Sequence, residues 1–514
     1  MIKKITAVPI RNLLFGSILL FCNNPLYADF FSDLSSHLTR LKDQAATTTP
    51  TTAGINSAQP LTAVSQVTYE GYSKDFLPVK NLIASGKLDQ AQKQVQQQIK
   101  DNGVEFLNSV EAGILAIDAQ NCSAAIDNFA AAETYLKKQA ERSIVEGSFV
   151  GFGNEAMSLI SGVGDLTEYN GEPYERILML NYKSIAYLLN GERRAYNVTR
   201  RAIDWQNIEK KEFEKNLEEV KEKTKAGDFK EKEKSTLGIS AFDILFNQYK
   251  ASESKALSVS SAYINPFGFY MAGIVQEFDS YEDASLRDNA RISYQKALAL
   301  NPKSKVIKQA VKATRKAPPR RKRLVQIIAA DGFAPEKKTL TMNMYIAGGQ
   351  VPIKLPLFEP VDSRVAKIKV KYGRKTLSTL SPIADIEAIT LRHQLDSLPI
   401  EHAKVVTAIA RNIGENMLWN KLGSLGSLGK QYRESFANPD MRAWMSLPKS
   451  FSAGRFYVSR RVKKIKVVSY DKNNRKLAEK IVTLNKKSPN FIYVRSINKT
   501  LYTNVAKQLW VKSK

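Results

Sequence analysis

LRDNARISYQKALALNP, residues 286–302, places Ala290, Tyr294 and Ala297 along one face of a helix and stops that helix with Asn301-Pro302. Small residues at both ends of such a face let a second helix approach closely. The aromatic ring between them fills the space beside the neighbour. Three other segments share the spacing. They are Ala125, Phe129 and Ala132; Ala195, Thr199 and Ala202 after Gly191; and, in its first step alone, Ala91 and Val95 after Gly86-Lys87-Leu88. Apolar helices precede them, as in Tyr182, Ile185, Ala186, Leu188 and Leu189 before Gly191. Both a tetratricopeptide-like repeat and generic antiparallel hairpins satisfy this spacing, and both predict an α-solenoid-like helical array, here over residues 69–316.

Moving outward, the array is uneven. Residues 143–170 carry Gly147, Gly151, Gly153, Gly162 and Gly164 and predict an irregular insertion. Residues 205–235 alternate Lys and Glu densely, which predicts a long solvated helix and its loop. Residues 303–323 contain ten Lys or Arg and no acid. Pro318-Pro319 cannot continue a helix, so 317–323 is predicted as a basic linker and domain boundary.

Beyond it the period changes from helical to alternating. Strands are predicted at Leu324–Ala329, Asn343–Ile346, Val351–Leu357, Val365–Tyr372, Phe456–Val458, Val462–Tyr470, Lys476–Leu484 and Asn490–Arg495. In the fourth of these, Lys367, Lys369 and Lys371 alternate with apolar residues, which puts one face in water and one on a core. Residues 381–430 turn helical (Val405, Ile409, Ile413, Met417) until Gly423–Gly429 breaks the pattern. The expected fold class is therefore α+β and multidomain: a helical array, then a β-rich, sandwich-like domain over 324–514 with a helical insertion at about 381–430.

The chain has 514 residues, enough for two or three domains, and 43% hydrophobic content, enough for real cores. Its formal net charge is +27. Residues 324–514 hold 34 Lys plus Arg against 13 Asp plus Glu, so most of the excess lies in the β-rich part. Such a charge favours anionic partners. The start of the chain narrows the choice. Lys3, Lys4 and Arg11 precede an apolar run from Leu13 to Cys22, and Ala28 follows Asn23-Asn24-Pro25-Leu26-Tyr27. That is the layout of an export signal over 1–28, too short in its apolar part to span a bilayer. No later stretch reaches spanning length, so no membrane span is expected in the mature chain. Residues 29–68, rich in Thr, Ala, Ser and Pro beyond position 44, read as a flexible tether. Cys22 is positioned as a lipidated cysteine would be, although Phe21 stands where a small residue is usual. Cleavage after Ala28 would leave only Cys122, which reads as a small core side chain and permits no internal disulfide.

No catalytic, cofactor-binding or metal-ligating residue can be nominated, and no cofactor is expected. His37, His393 and His402 lack a partner cluster of the kind that holds zinc. No Gly-x-Ser-x-Gly elbow or phosphate-binding loop is present. Glu172 and Glu175 form a carboxylate pair of a kind common on helices. Arg442 and Trp444 stand out as a surface anchor or, more simply, a core pair.

Four stretches add a resemblance. They are Tyr169-Asn170-Gly171-Glu172-Pro173-Tyr174-Glu175, followed by Asn181-Tyr182 and Tyr187-Leu188; Asp331-Gly332-Phe333-Ala334-Pro335; Pro356-Leu357-Phe358-Glu359-Pro360; and Asp440-Met441-Arg442-Ala443-Trp444 with Leu447-Pro448. Their order and spacing over residues 75–510 resemble a family of uncharacterised bacterial envelope proteins and lipoproteins with tetratricopeptide-like helices ahead of a β-rich region. The resemblance implies an envelope protein with a scaffold-like helical half, and it implies no activity. The expected function is a non-enzymatic scaffold or adaptor of the envelope, exported to the periplasm or outer envelope. It would hold protein or peptide partners on the helices and anionic lipid or cell-wall polymer on the basic domain, with nucleic acid disfavoured. A factor secreted beyond the cell, and a hydrolase with a scattered site, are the alternatives.

Overall fold

A computed structural model describes residues 66–102, 105–145, 169–225, 241–319, 321–346, 349–401, 440–486 and 489–507. The export signal, nearly all of the tether, most of the glycine-rich insertion, residues 402–430 of the helical insertion, His37 and His402 lie outside the described residues.

The first half is a run of helices: α1 (Gly71–Ala84), α2 (Leu88–Asn102), α3 (Phe106–Asp118), α4 (Cys122–Val145), α5 (Pro173–Asn190), α6 (Ala195–Lys225), α7 (Ala241–Ala256), α8 (Pro266–Asp279), α9 (Leu286–Leu300) and α10 (Lys305–Ala313). Each of α1 to α5 packs on the next, α5 packs on α6, α6 on α8, and α8 to α10 continue the stack. The residues that set the spacing are all in the contacts: Ala125, Phe129, Ala132, Ala195, Ala202, Ala290, Tyr294 and Ala297 are fully buried. The two aromatic rings pack on glycines of the preceding helix. A Cβ on Gly113 would lie 2.6 Å from the Phe129 ring, and one on Gly273 would lie 2.5 Å from the Tyr294 ring. The charged segment from position 205 is helical as far as Lys225, but it is not the solvated helix expected: Gln206, Glu209, Phe213, Asn216 and Leu217 are buried, with Glu209 paired to Arg176 of α5.

The second half forms three sheets. Strands β1 (Gln66–Thr68), β3 (Glu336–Ile346) and β4 (Gly349–Glu359) make an antiparallel three-stranded sheet. Gln66–Thr68, expected as the end of the tether, is held there by pairing with Thr339–Thr341. A four-stranded antiparallel sheet has the order β10-β9-β5-β6, from Lys476–Thr483, Lys464–Tyr470, Lys367–Tyr372 and Lys375–Thr379. A five-stranded sheet has the order β12-β11-β2-β8-β7, from Thr500–Val505, Asn490–Ile497, Lys322–Asp331, Ser450–Ser459 and Ser381–Asp385; only β11 and β2 are parallel. Ser381–Asp385, expected as the start of the helical insertion, is an edge strand, and Asp385 then caps helix α11 (Ile386–Asp396) by accepting from Ala388 N. Lys322 and Arg323, expected in the linker, already belong to β2.

The five-stranded sheet is buried on both faces. Val325, Ile327 and Ala329 of β2 join Val370, Ile465, Val467 and Val482 in the interior of the sandwich. The alternate residues Leu324, Ile328 and Ala330 join Phe451, Ala453, Phe491 and Tyr493 in a core shared with α3–α6 and α8–α10. Phe267 of α8 stacks on Phe451 of β8 with ring centroids 3.9 Å apart. The layers are helices, five strands and four strands, with one continuous core joining the first two. Among the described residues no helix is long and apolar enough to cross a membrane.

Candidate functional site

Helix α5 is the axis of the inner core; every residue from Tyr174 to Leu189 is buried. Its first turn explains why the chain stops and restarts there. Glu172 is the N-cap, Pro173 supplies the preset φ of the first turn, and the Glu172 and Glu175 side chains each accept from the other's backbone N–H. The pair read as an ordinary helical doublet is thus a reciprocal cap. Its oxygens also reach across the fold. Glu175 accepts from Tyr169 Oη at 2.7 Å and from Trp444 N at 2.8 Å. Glu172 meets Lys337 Nζ at 3.4 Å and His393 Nε2 at 3.0 Å. Lys337 Nζ donates to Arg442 O at 3.0 Å, and the Arg442 guanidinium lies 5.2 Å over the Tyr169 ring. Ala334 N donates to Leu447 O at 2.8 Å. The Tyr169–Glu175 and Asp440–Trp444 stretches therefore meet at the start of α5, and Asp331–Pro335 is tied to the second of them through Leu447. The fourth is tied to α11, where Gln394 Oε1 accepts from Phe358 N at 2.6 Å.

Electrostatics separates the two carboxylates of the cap. Burial alone would raise both. For Glu172 the charge of Lys337 and the hydrogen bond with His393 overcome burial and hold it well below the usual carboxylate range. Glu175 has burial and the neighbouring Glu172 charge against it and is pushed up to about 7. Glu111 on α3, which accepts from Met445 N at 2.7 Å and Ser446 N at 3.1 Å, is pushed by burial up to about 8.

This centre is built to hold segments together. The carboxylate oxygens are taken by backbone and side-chain donors. His393 has Tyr263 Oη 3.1 Å from Nδ1 and Glu172 3.0 Å from Nε2, and Tyr174, Phe213 and Tyr263 pack around its ring. Among the described residues, no hydrogen bond joins a serine, threonine or cysteine side chain to it. Trp444 is 2% exposed and packs on Phe129 and Tyr182, as a core residue does. Among the described residues no group of three or more His, Cys, Asp or Glu side chains is placed to hold a metal ion.

A second feature is a basic face on the four-stranded sheet. On β5 and β9 the outward positions are Lys367, Lys369, Lys371, Lys464, Lys466, Val468 and Tyr470, alternating with the buried Ile368, Val370, Ile465 and Val467; Val468, between Lys466 and Tyr470, is itself buried. Lys371 pairs across the strands with Lys466, and Lys466 with Ile481. Lys369 and Lys371 Nζ stand 5.2 and 5.4 Å from the Tyr470 ring, which orders them without consuming their charge. Glu479, bound to Lys466 at 2.8 Å, is the sole acid in these four strands. The alternation of β5 in the sequence marked this face; its extension over β9 required the strand order.

Comparison of the chain with protein-family profiles, with curated proteins and with solved structures gives no match.

Proposed function

We propose that this chain is an exported, non-enzymatic scaffold of the bacterial envelope, of the kind its four motif stretches resemble, and that it docks on an anionic surface through the outer face of the four-stranded sheet. The observation that carries this is the lysine face: five outward lysines on two adjacent strands, one acid beside them and an ordering aromatic ring. The helix pairs are read as tetratricopeptide-like. The Ala-aromatic-Ala spacing and the fit of Phe129 on Gly113 and Tyr294 on Gly273 support that reading. Since one side of the stack is covered by the five-stranded sheet, envelope proteins or peptides would meet its outward side.

Basic side chains near an anionic membrane surface contribute about 1 kcal/mol each. The variant K367Q/K369Q/K371Q is therefore expected to weaken co-sedimentation of the full-length protein with washed envelope fragments by about a hundredfold at low salt. The affinity of the unaltered chain should fall steeply as salt rises. Salt-insensitive binding, or a triple variant that sediments like the parent, would contradict the docking face. Recovery of the intact chain, residues 1–28 included, from the cytosol would contradict export.

A further inference from the structure

One end of the sandwich gathers cations that are far apart in the sequence. The β8–β9 connection exposes Arg460, Arg461, Lys463 and Lys464. The β5–β6 turn, at the same end because Lys371 pairs with Lys466 near the start of β9, exposes Arg374 and Lys375. Two further segments are tied into that end by Arg323, whose guanidinium donates to Val462 O and Asn485 O. They are the start of β2, with Arg321 and Lys322 exposed, and the turn after β10, with Lys486 exposed. Leu484 N donates to Lys463 O at 2.9 Å and closes the arrangement. None of residues 321–323, 372–375, 459–466 and 484–486 is Asp or Glu.

Two large apolar side chains sit among these charges. Tyr372, which begins the β5–β6 turn, is 49% exposed, and Ile481, opposite Lys466 on the edge strand β10, is 58% exposed. Lys371, Lys466 and Ile481 form one row across three strands, so Ile481 lies on the lysine face, whereas Tyr372 follows Lys371 and stands at the end of the sheet on its other side. A dissolved polyanion rewards the charges but gains nothing from two water-exposed apolar groups. A bilayer surface rewards both, because headgroup phosphates meet the cations while a tyrosine and an aliphatic chain enter the interfacial layer.

We propose that this basic end and the lysine face it adjoins are together the contact, that the occupant is the phosphate layer of an anionic phospholipid bilayer, and that Ile481 on the face and Tyr372 at the end enter that layer. This rests on the scaffold reading above and gives its anionic surface a chemical identity. The test uses the full-length protein with vesicles of phosphatidylglycerol and phosphatidylcholine, vesicles of phosphatidylcholine alone, and soluble polyphosphate. Binding is expected to the mixed vesicles and not to the neutral ones. R460Q/R461Q/K463Q/K464Q should weaken vesicle binding by about a hundredfold or more. Y372S/I481S should weaken vesicle binding by about tenfold and leave polyphosphate binding unchanged. All six positions are exposed, and unaltered thermal unfolding of both variants shows that folding is intact. If the protein binds polyphosphate but ignores the mixed vesicles, or if Y372S/I481S weakens both equally, the lipid assignment is wrong and the docking reading stands. Binding to neither overturns both.

Discussion

Replacing Arg455 by alanine should lower the unfolding free energy by about 3–5 kcal/mol, because it strands a buried carboxylate. Arg455 on β8 and Glu277 on α8 pair at 2.5 Å, with side chains 1% and 6% exposed. Burial disfavours the charge on Arg455, but Glu277 outweighs it and keeps the guanidinium protonated above its ordinary value. Glu277 also accepts from Tyr294 Oη at 2.9 Å and Gln326 Nε2 at 2.8 Å, and Arg455 donates to Tyr457 Oη at 3.0 Å. The network thus joins two helices of the stack to two adjacent strands of the five-stranded sheet, β2 and β8. Removing one charge leaves the other without water or counter-ion, whereas R455M/E277L removes both and should recover most of the loss. Denaturant unfolding at constant slope measures this. A loss for R455A below about 1 kcal/mol would mean that the helices and sheet do not share a dry core.

The second large effect is a fall in stability from pH 5 to pH 8. Glu111, Asp118 and Glu175 are buried and pushed up to about 8, 7 and 7. Burial is the leading cause in all three, with Glu175 adding to it at Glu111 and Glu172 adding to it at Glu175. In that window the folded chain keeps protons that the unfolded chain has released, so stability drops as pH rises through the folded values. Glu111 alone should account for roughly 3–5 kcal/mol. Lys80, lowered by burial to about 7, acts in the opposite sense above pH 7. There the unfolded chain holds the extra proton, and stability is regained toward pH 10. Glu133 is raised by burial, but hydrogen bonds from Lys183 and Arg201 prevail and bring it to about 2, so stability also falls in acid below about 4.5. The expected profile peaks near pH 5. E111Q, which keeps one oxygen for the Met445 and Ser446 amides, should flatten the limb from pH 5 to pH 8. Equal stability at pH 5 and pH 8, or an unchanged slope in E111Q, would refute the assignment.

Much of this architecture can be read from residue spacing, and the rest fails for identifiable reasons. The Ala-aromatic-Ala helices and the Lys-alternating β5 are visible because each has one face in water or against a single neighbour. Helix α5 is different. Arg176, Asn181 and Lys183 would mark an exposed face, yet all three are buried. Arg176 is matched at 2.6 Å by Glu209 and Lys183 at 2.7 Å by Glu133. Those partners lie 33 and 50 positions away, beyond any local pattern. Strand β11, buried at every position, likewise conceals that the sheet has two covered faces. Strand β12 was within reach: Asn498, at φ +51°, followed by Lys499, makes the two-residue turn that returns β11 into it. The meeting of the Asp440–Trp444 stretch with Glu175 has no sequence signal beyond the Glu-x-x-Glu cap, because the two lie 269 positions apart.

The docking account is tested most directly by labelling the lysines of full-length protein while it is bound to envelope membranes. Lys367, Lys369, Lys371, Lys464 and Lys466 should be protected several-fold relative to free protein, while Lys87, Lys137 and Lys308, exposed on the helical layer, react as before. Protection confined to the helical lysines, or uniform labelling of both sets, would contradict it.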